Sequence, residues 1–134
     1  MSKSADSPYN YIALTDTAEI IRKKIKKAVT DSGTEIKASP DKPAITNLLN
    51  IFSEITEWPI PKIEKKFLGK SYVQFKQELA ENLIQYLTPI QKKYFEILKD
   101  KTALIKILAE GSKQVAPIAQ KTLIQVKRAI GLYS

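Results

Sequence analysis

A long run of apolar residues at helical spacing occupies the middle of this sequence. Between residues 72 and 97 an apolar side chain recurs every three or four positions, at Phe75, Leu79, Leu83, Tyr86, Ile90, Tyr94 and Ile97. This spacing predicts one α-helix that buries a single face, with Tyr86 and Tyr94 in the core. Pro89 lies within the run. Because proline cannot donate a backbone hydrogen bond, we expect a kink there rather than a break.

Shorter runs with the same spacing precede this helix. Asp16 and Glu19 match a capping box ahead of a first helix, which should end near residues 30–33. The apolar positions of that helix are Ile21, Ile25, Ala28 and Val29. Asp41 is the expected cap of a second helix, with Pro43 in its first turn. The apolar stripe of the second helix is Ile45, Leu48, Leu49, Phe52 and Ile55.

Two further segments complete the pattern. A short helix is expected over 61–68 and should end at Gly69. The last helix should bend at Pro117 and end at Gly131. The sequence has no alternating pattern typical of strands. It therefore predicts an all-α fold, a helical bundle of five to six helices.

The composition limits the chemistry that the chain can perform. It contains no cysteine and no histidine, which excludes disulfides, thiol nucleophiles, imidazole metal ligands and His-based triads. The carboxylates are scattered, so we expect no protein-ligated metal. The net charge of +8 favours an anionic partner. There is no signal peptide and no apolar run of membrane-spanning length, so we expect a cytoplasmic protein without membrane contacts.

The first four residues are a candidate phosphate-binding loop. Met1, Ser2, Lys3 and Ser4 place an ammonium group between two hydroxyls, and these groups can all contact phosphate oxygens. Taken alone, such a string of common residues is more often a chain tail.

Several blocks in order give this string a context. The first block is residues 1–8, and the others span 22–32, with the letters AVTDS at its end, 45–51, with NLLNI, 69–90 and 110–132. Together they resemble the C-terminal portion of bacterial-type tryptophanyl-tRNA synthetases, which are class I enzymes, beginning within the KMSKS signature loop. The sequence AVTDS followed by NLLNI is more similar to the tryptophan branch than to the tyrosine branch.

The resemblance implies a two-part organisation. Residues 1–15 would be the KMSKS-type loop and a linker, and residues 16–134 a helical domain that binds the anticodon end of tRNA. The loop would close on the triphosphate of ATP, which binds with Mg²⁺. Lys3 would stabilise the departing pyrophosphate as the catalytic residue. Met1, Ser2 and Ser4 would help to hold the ATP phosphates.

The resemblance also implies partners and one missing part. The partners would be tRNA(Trp), ATP and tryptophan, and family members are homodimers. The first lysine of the signature is absent here, and the Rossmann part with the amino-acid pocket would lie upstream. We therefore expect the chain alone not to form the adenylate.

A basic helix is the second candidate site. Five cations fall within residues 22–27 without an acid among them. The candidate tRNA contacts are Arg22, Lys23, Lys26 and Lys27. A solvated helix face that serves solubility explains the same charges equally well.

A third set combines two aromatic residues with the lysines around them, which are Lys62, Lys65, Lys66, Lys70 and Lys76. Phe67 and Tyr72 beside these lysines could stack on unpaired bases. Apolar residues at helical spacing usually pack inward, however, so we favour Phe67 and Phe75 as core residues and Trp58 as a packing anchor.

Three hypotheses follow for the whole chain. The first is the C-terminal part of a tryptophan–tRNA ligase. The second is a non-catalytic helical nucleic-acid-binding module, and the third is a structural helical domain whose charge serves solubility only.

Overall fold

The computed structural model describes residues 7–132 and consists of helices. A short 3-10 turn at Pro8–Asn10 precedes five α-helices, which are α1 (Ala18–Lys27), α2 (Pro43–Thr56), α3 (Ile60–Lys66), α4 (Tyr72–Lys99) and α5 (Lys101–Ala129). No strand occurs within the described range. The prediction of an all-α fold with five to six helices is confirmed.

The chain divides into two compact units, of which one ends at Lys92 and the other begins at Lys93. Three phenylalanines meet at the centre of the first unit. Phe52 of α2 stacks on Phe75 of α4 with ring centroids 5.8 Å apart, and Phe67 meets Phe52 and Phe75 edge-on at 5.7 and 5.0 Å. The fully buried aliphatic residues around them are Ile21, Ile45, Leu49, Ile63 and Leu79. The predicted stripe of α2 therefore does form the core, together with Phe67 and Phe75.

The buried face of α4 differs from its predicted register. Phe75, Leu79 and Leu83 are buried as expected, but the next buried residue is Leu87. The predicted burial of the two tyrosines was wrong, since Tyr86 is 50% exposed and Tyr94 is 43% exposed. The buried residues from Phe75 to Leu87 follow one another at intervals of four positions. An interval of three, such as that from Leu83 to Tyr86, rotates the side chain by about 60° around the helix axis, away from the buried face.

Two helices contain an internal proline and continue across it. Helix α4 continues through Pro89 without a break, as expected, and α5 continues through Pro117. Helix α5 ends before Gly131, which adopts a φ of 77°, and the amide of Leu132 donates to the carbonyl of Lys127. The predicted end at Gly131 is confirmed.

Both predicted helix caps in the first unit were wrong. Thr17, not Asp16, caps α1 by accepting from the amide of Ile20. At α2, Pro43 occupies the first turn as predicted, but Asp41 does not cap it. The carboxylate of Asp31 accepts instead from the amides of Ile45 and Ala44, at 2.8 and 3.4 Å.

The ends of the shorter helices also differ from the predictions. Helix α1 ends at Lys27, and Val29, which was expected on its buried face, is exposed. Helix α3 occupies Ile60–Lys66 rather than 61–68, and Gly69 follows it with a φ of 74°.

The second unit contains the end of α4 and the whole of α5. The side chain of Asp100 caps this helix by accepting from the amide of Ala103 at 2.9 Å. None of the described side chains of α5 is buried within this chain. Across residues 7–132, no helix combines the length and the apolar character needed to cross a lipid bilayer.

Candidate nucleic-acid interface

Helix α1 is held by two buried isoleucines, and its cations point in different directions. Ile21 and Ile25 lie in the core. Arg22 and Lys26 are one turn apart, so they share a side of the helix, and both line a cleft against α4. Lys27 lies over the ring of Tyr9, 4.1 Å from its centroid. The four predicted tRNA contacts therefore do not form one continuous face.

The other two exposed cations of α1, Lys23 and Lys27, lie close to Tyr9. The positive charges of Lys23 and Lys27 lower the pKa of the Tyr9 hydroxyl, with Lys23 as the larger cause. Both lysines are exposed to solvent. Lys23 and Lys27 thus form one exposed cationic site, and Arg22 and Lys26 belong to another.

Lys24 is the cation of this helix that faces inward. It is only 7% exposed, and its ammonium group donates to the carboxylate of Asp16 at 2.6 Å. The same carboxylate accepts from the amide of Ala13 at 2.9 Å, and the ring centroid of Tyr11 lies 4.7 Å from the ammonium nitrogen. Sequence reasoning missed this contact. The position of Lys24, three residues after the buried Ile21, was the signal that could have shown it.

The segment between the 3-10 turn and α1 is held from a second side. The side-chain amide of Gln91 on α4 donates to the carbonyls of Leu14 and Asp16, at 2.8 and 2.9 Å. Together with Lys24, this contact fixes the segment against α1 and α4. The sequence gives no indication of Gln91, which lies 75 residues from Asp16.

Arg22 connects α1 to α4, and Lys76 connects α4 to Ala28, the residue directly after α1. The guanidinium group of Arg22 contacts both carboxylate oxygens of Glu81, at 2.6 and 3.0 Å. This hydrogen-bonded pair lowers the pKa of Glu81 and raises that of Arg22. Lys76 donates to the carbonyl of Ala28 at 2.7 Å, and burial lowers the pKa of its amine.

The aromatic residues of the third set serve packing. Phe67 is buried, and the hydroxyl of Tyr72 donates to the carbonyl of Glu35 at 3.1 Å. Trp58 is half-buried beside Phe52, and the ammonium groups of Lys62 and Lys66 lie 4.0 and 5.0 Å from its ring centroid. Because cations already occupy the vicinity of this ring, the packing interpretation agrees with the geometry.

The candidate phosphate-binding loop, Met1, Ser2, Lys3 and Ser4, lies outside the described residues. The first described contact after it is at Ser7, whose hydroxyl accepts from the amide of Tyr9 at 3.3 Å.

Comparison with known proteins places the chain in a family. A family model described as class I tRNA synthetases (W and Y) matches residues 1–88. The chain belongs to this class I synthetase family. The match includes the four candidate loop residues and all of α1, α2 and α3.

The relatives of this class I synthetase chain are named for tryptophan. It is 42% identical over 131 residues to the tryptophan–tRNA ligase of Clostridium acetobutylicum, and 44% identical over 133 residues to that of Listeria monocytogenes. Each match covers 98% of the chain and 39% or 40% of the relative. The crystal structure of the Mycoplasma pneumoniae tryptophanyl-tRNA synthetase matches with a TM-score of 0.80 and 32% identity, covering 100% of this chain and 41% of that one.

The class I synthetase chain thus spans about two fifths of the length of its relatives. The resemblance to the C-terminal portion of tryptophanyl-tRNA synthetases is confirmed.

Proposed function

We propose that the chain acts as the C-terminal part of a tryptophan–tRNA ligase, which activates tryptophan with ATP and transfers it to tRNA(Trp). The observation that carries this proposal is the identity of about 40% to such ligases along 98% of the chain. In this proposal residues 1–15 form the ATP-phosphate loop and its linker, and residues 16–134 form the helical tRNA-binding domain. The complete ligase works in the cytoplasm as a homodimer.

The proposed role of Lys3 is electrostatic. Negative charge grows on the pyrophosphate as it leaves the α-phosphate of ATP, and an ammonium group held beside it lowers the energy of that transition state. Met1, Ser2 and Ser4 contact the same phosphates, and Mg²⁺ accompanies ATP as part of the substrate. The support for these roles is the similarity of the first four residues to the signature and their inclusion in the family match.

Replacing Lys3 with alanine in the complete ligase is expected to slow pyrophosphate exchange about a hundredfold, as the loss of one transition-state charge interaction typically does. The dissociation constant for tRNA should stay within a few-fold of wild type, because the loop acts on ATP. The exposed Lys37 is the control, and Lys37→Ala should leave exchange unchanged. An exchange rate in Lys3→Ala within a few-fold of wild type would remove this role.

The second part of the proposal concerns tRNA. Lys23 and Lys27 are exposed and form a joint cationic site beside Tyr9, so they can reach phosphates of a bound polyanion. The net charge of +8 supports the same interpretation.

We expect tRNA(Trp) to bind the 134-residue chain more weakly as salt increases, since binding releases counterions from the phosphates. The double variant Lys23→Gln/Lys27→Gln should lower the slope of log K against log salt by about one for each phosphate that it no longer neutralises. A filter-binding titration at several salt concentrations measures both effects, with Lys37→Gln as the control that removes a charge elsewhere. Binding that does not respond to salt would contradict the proposal and favour a solubility role.

A further inference from the structure

A cleft between α1 and α4 has the chemistry of an anion site. It has a volume of about 490 Å³ and is lined by cations from both helices. Arg22 and Lys26 come from α1, and Lys76 comes from α4. Neutral donors, among them Gln77, lie beside these cations.

Contacts between the two helices close this cleft at each end. The Arg22–Glu81 pair joins them at one end, and the hydrogen bond from Lys76 to the carbonyl of Ala28 joins them at the other. The earlier residue of α1 pairs with the later residue of α4, so the two helices are antiparallel here. Lys26 lies between the two contacts along α1. The cations are therefore held in a defined arrangement rather than spread over a surface.

The charge of the cleft is not balanced. Among the described residues that line it, Glu81 is the one acid, and both of its oxygens are engaged by Arg22. Lys26 and Lys76 have no carboxylate facing them within the lining. A multivalent anion would supply the missing negative charge. It could also compete with Glu81 for the guanidinium group of Arg22, because guanidinium groups bind phosphate in a bidentate geometry.

The lining of the cleft also contains apolar groups, which a bare ion would leave uncovered. The ring of Tyr72 and the side chains of Val73 and Ala80 provide an apolar part of the lining. The volume also exceeds what one phosphate needs. A sugar or a base attached to the phosphate would cover these apolar groups.

We infer that the cleft between α1 and α4 binds a nucleotide, with Arg22, Lys26 and Lys76 contacting its phosphate. The inference rests on the proposed function, in which both RNA and a free nucleotide are substrates, and it gives one nucleotide a binding place. The phosphate belongs either to the RNA backbone or to a free nucleotide, and the two sources can be separated by experiment.

The test is an NMR titration of the 134-residue chain, labelled with ¹⁵N, with a short single-stranded oligoribonucleotide and separately with AMP. Amide shifts should concentrate at residues 26–30 and 72–81. Lys26→Gln and Lys76→Gln should each weaken binding about tenfold, as expected for one charge-assisted hydrogen bond. Glu81→Gln should tighten binding several-fold, because it releases Arg22. The control Lys37→Gln removes the same charge outside the cleft and should bind like wild type.

The outcomes separate the alternatives. Binding of the oligoribonucleotide without AMP assigns the cleft to RNA, and binding of AMP alone assigns it to a free nucleotide. Equal binding by Lys26→Gln and wild type, an equal loss in Lys37→Gln, or weaker binding by Glu81→Gln would each overturn the inference. Lys26 is exposed, so its replacement keeps the test valid if Lys76→Gln fails to fold. Salt-sensitive tRNA binding that is as tight in Lys26→Gln as in wild type would preserve the proposed function and remove only the cleft.

Discussion

Replacing Phe75 with alanine is expected to lower the free energy of unfolding of the first unit by about 3–5 kcal/mol, the usual cost of emptying a phenylalanine site in a core. Phe75 is 0% exposed, and its ring contacts both Phe52 and Phe67. The substitution removes the apolar contacts and leaves a cavity between residues that come from three parts of the chain. Relaxation of such a cavity is limited, because the neighbouring rings are themselves buried.

The measurement is urea unfolding followed by the fluorescence of Trp58, the single tryptophan, which lies 6.5 Å from the Phe52 ring. Phe95 offers a matched control, since it is a half-exposed phenylalanine on the same helix. Phe95→Ala should change the Trp58 transition by less than about 1 kcal/mol. If Phe75→Ala unfolds at the same urea concentration as Phe95→Ala, the three rings do not form the centre of this core.

Replacing Lys24 with methionine is expected to cost a similar amount, about 3–5 kcal/mol, because it leaves the Asp16 carboxylate buried without its cation. The two side chains are only 8% and 12% exposed. Methionine keeps most of the length and the apolar stem of lysine, so the loss reflects the charge rather than the packing. Thermal unfolding of the variant against the unmodified chain measures the cost.

The charge origin of this effect can be isolated with a second variant. Lys24→Met combined with Asp16→Asn removes both charges and should recover a large part of the lost stability, since a neutral amide is cheaper to bury than a carboxylate. Lys23→Met is the control, because Lys23 is exposed on the same helix, and it should change stability by less than about 0.5 kcal/mol. A Lys24→Met variant no less stable than Lys23→Met would show that the pair contributes nothing.

Helical periodicity was sufficient to predict the elements of this fold and much of its core. The i, i+3 and i, i+4 spacing located α2 and its buried stripe, and it assigned Phe67 and Phe75 to the interior correctly. Periodicity describes one helix at a time, however. It does not state where the neighbouring elements stop, and so Tyr86 was assigned to the core in place of Leu87.

The contacts that sequence reasoning missed are of two kinds. Some join residues that are distant along the chain, and others involve a charged side chain that is buried. Asp31 caps α2 although it lies 13 or 14 residues before the amides that it contacts. The prediction considered only residues next to the helix and therefore chose Asp41. Lys24 was included among the five cations that a solvated helix face would explain, although its position on the apolar face of α1 indicated burial.

The candidate site was predicted in part. The sequence indicated which cations of α1 are available, and Arg22, Lys23, Lys26 and Lys27 are all exposed. It could not show that they separate into two pairs, because that depends on where Tyr9 and α4 lie. The roles of Met1, Ser2, Lys3 and Ser4 remain predictions.

The remote cap of α2 has a consequence for the order in which the first unit assembles. The first turn of this helix has orphan amides that the residues directly before it do not satisfy. These amides are satisfied only when the loop after α1 brings the Asp31 carboxylate to the first turn of α2. We infer that the turn after α1 and the beginning of α2 form in one cooperative step, so that a protease cut between them would loosen the helix from its amino end.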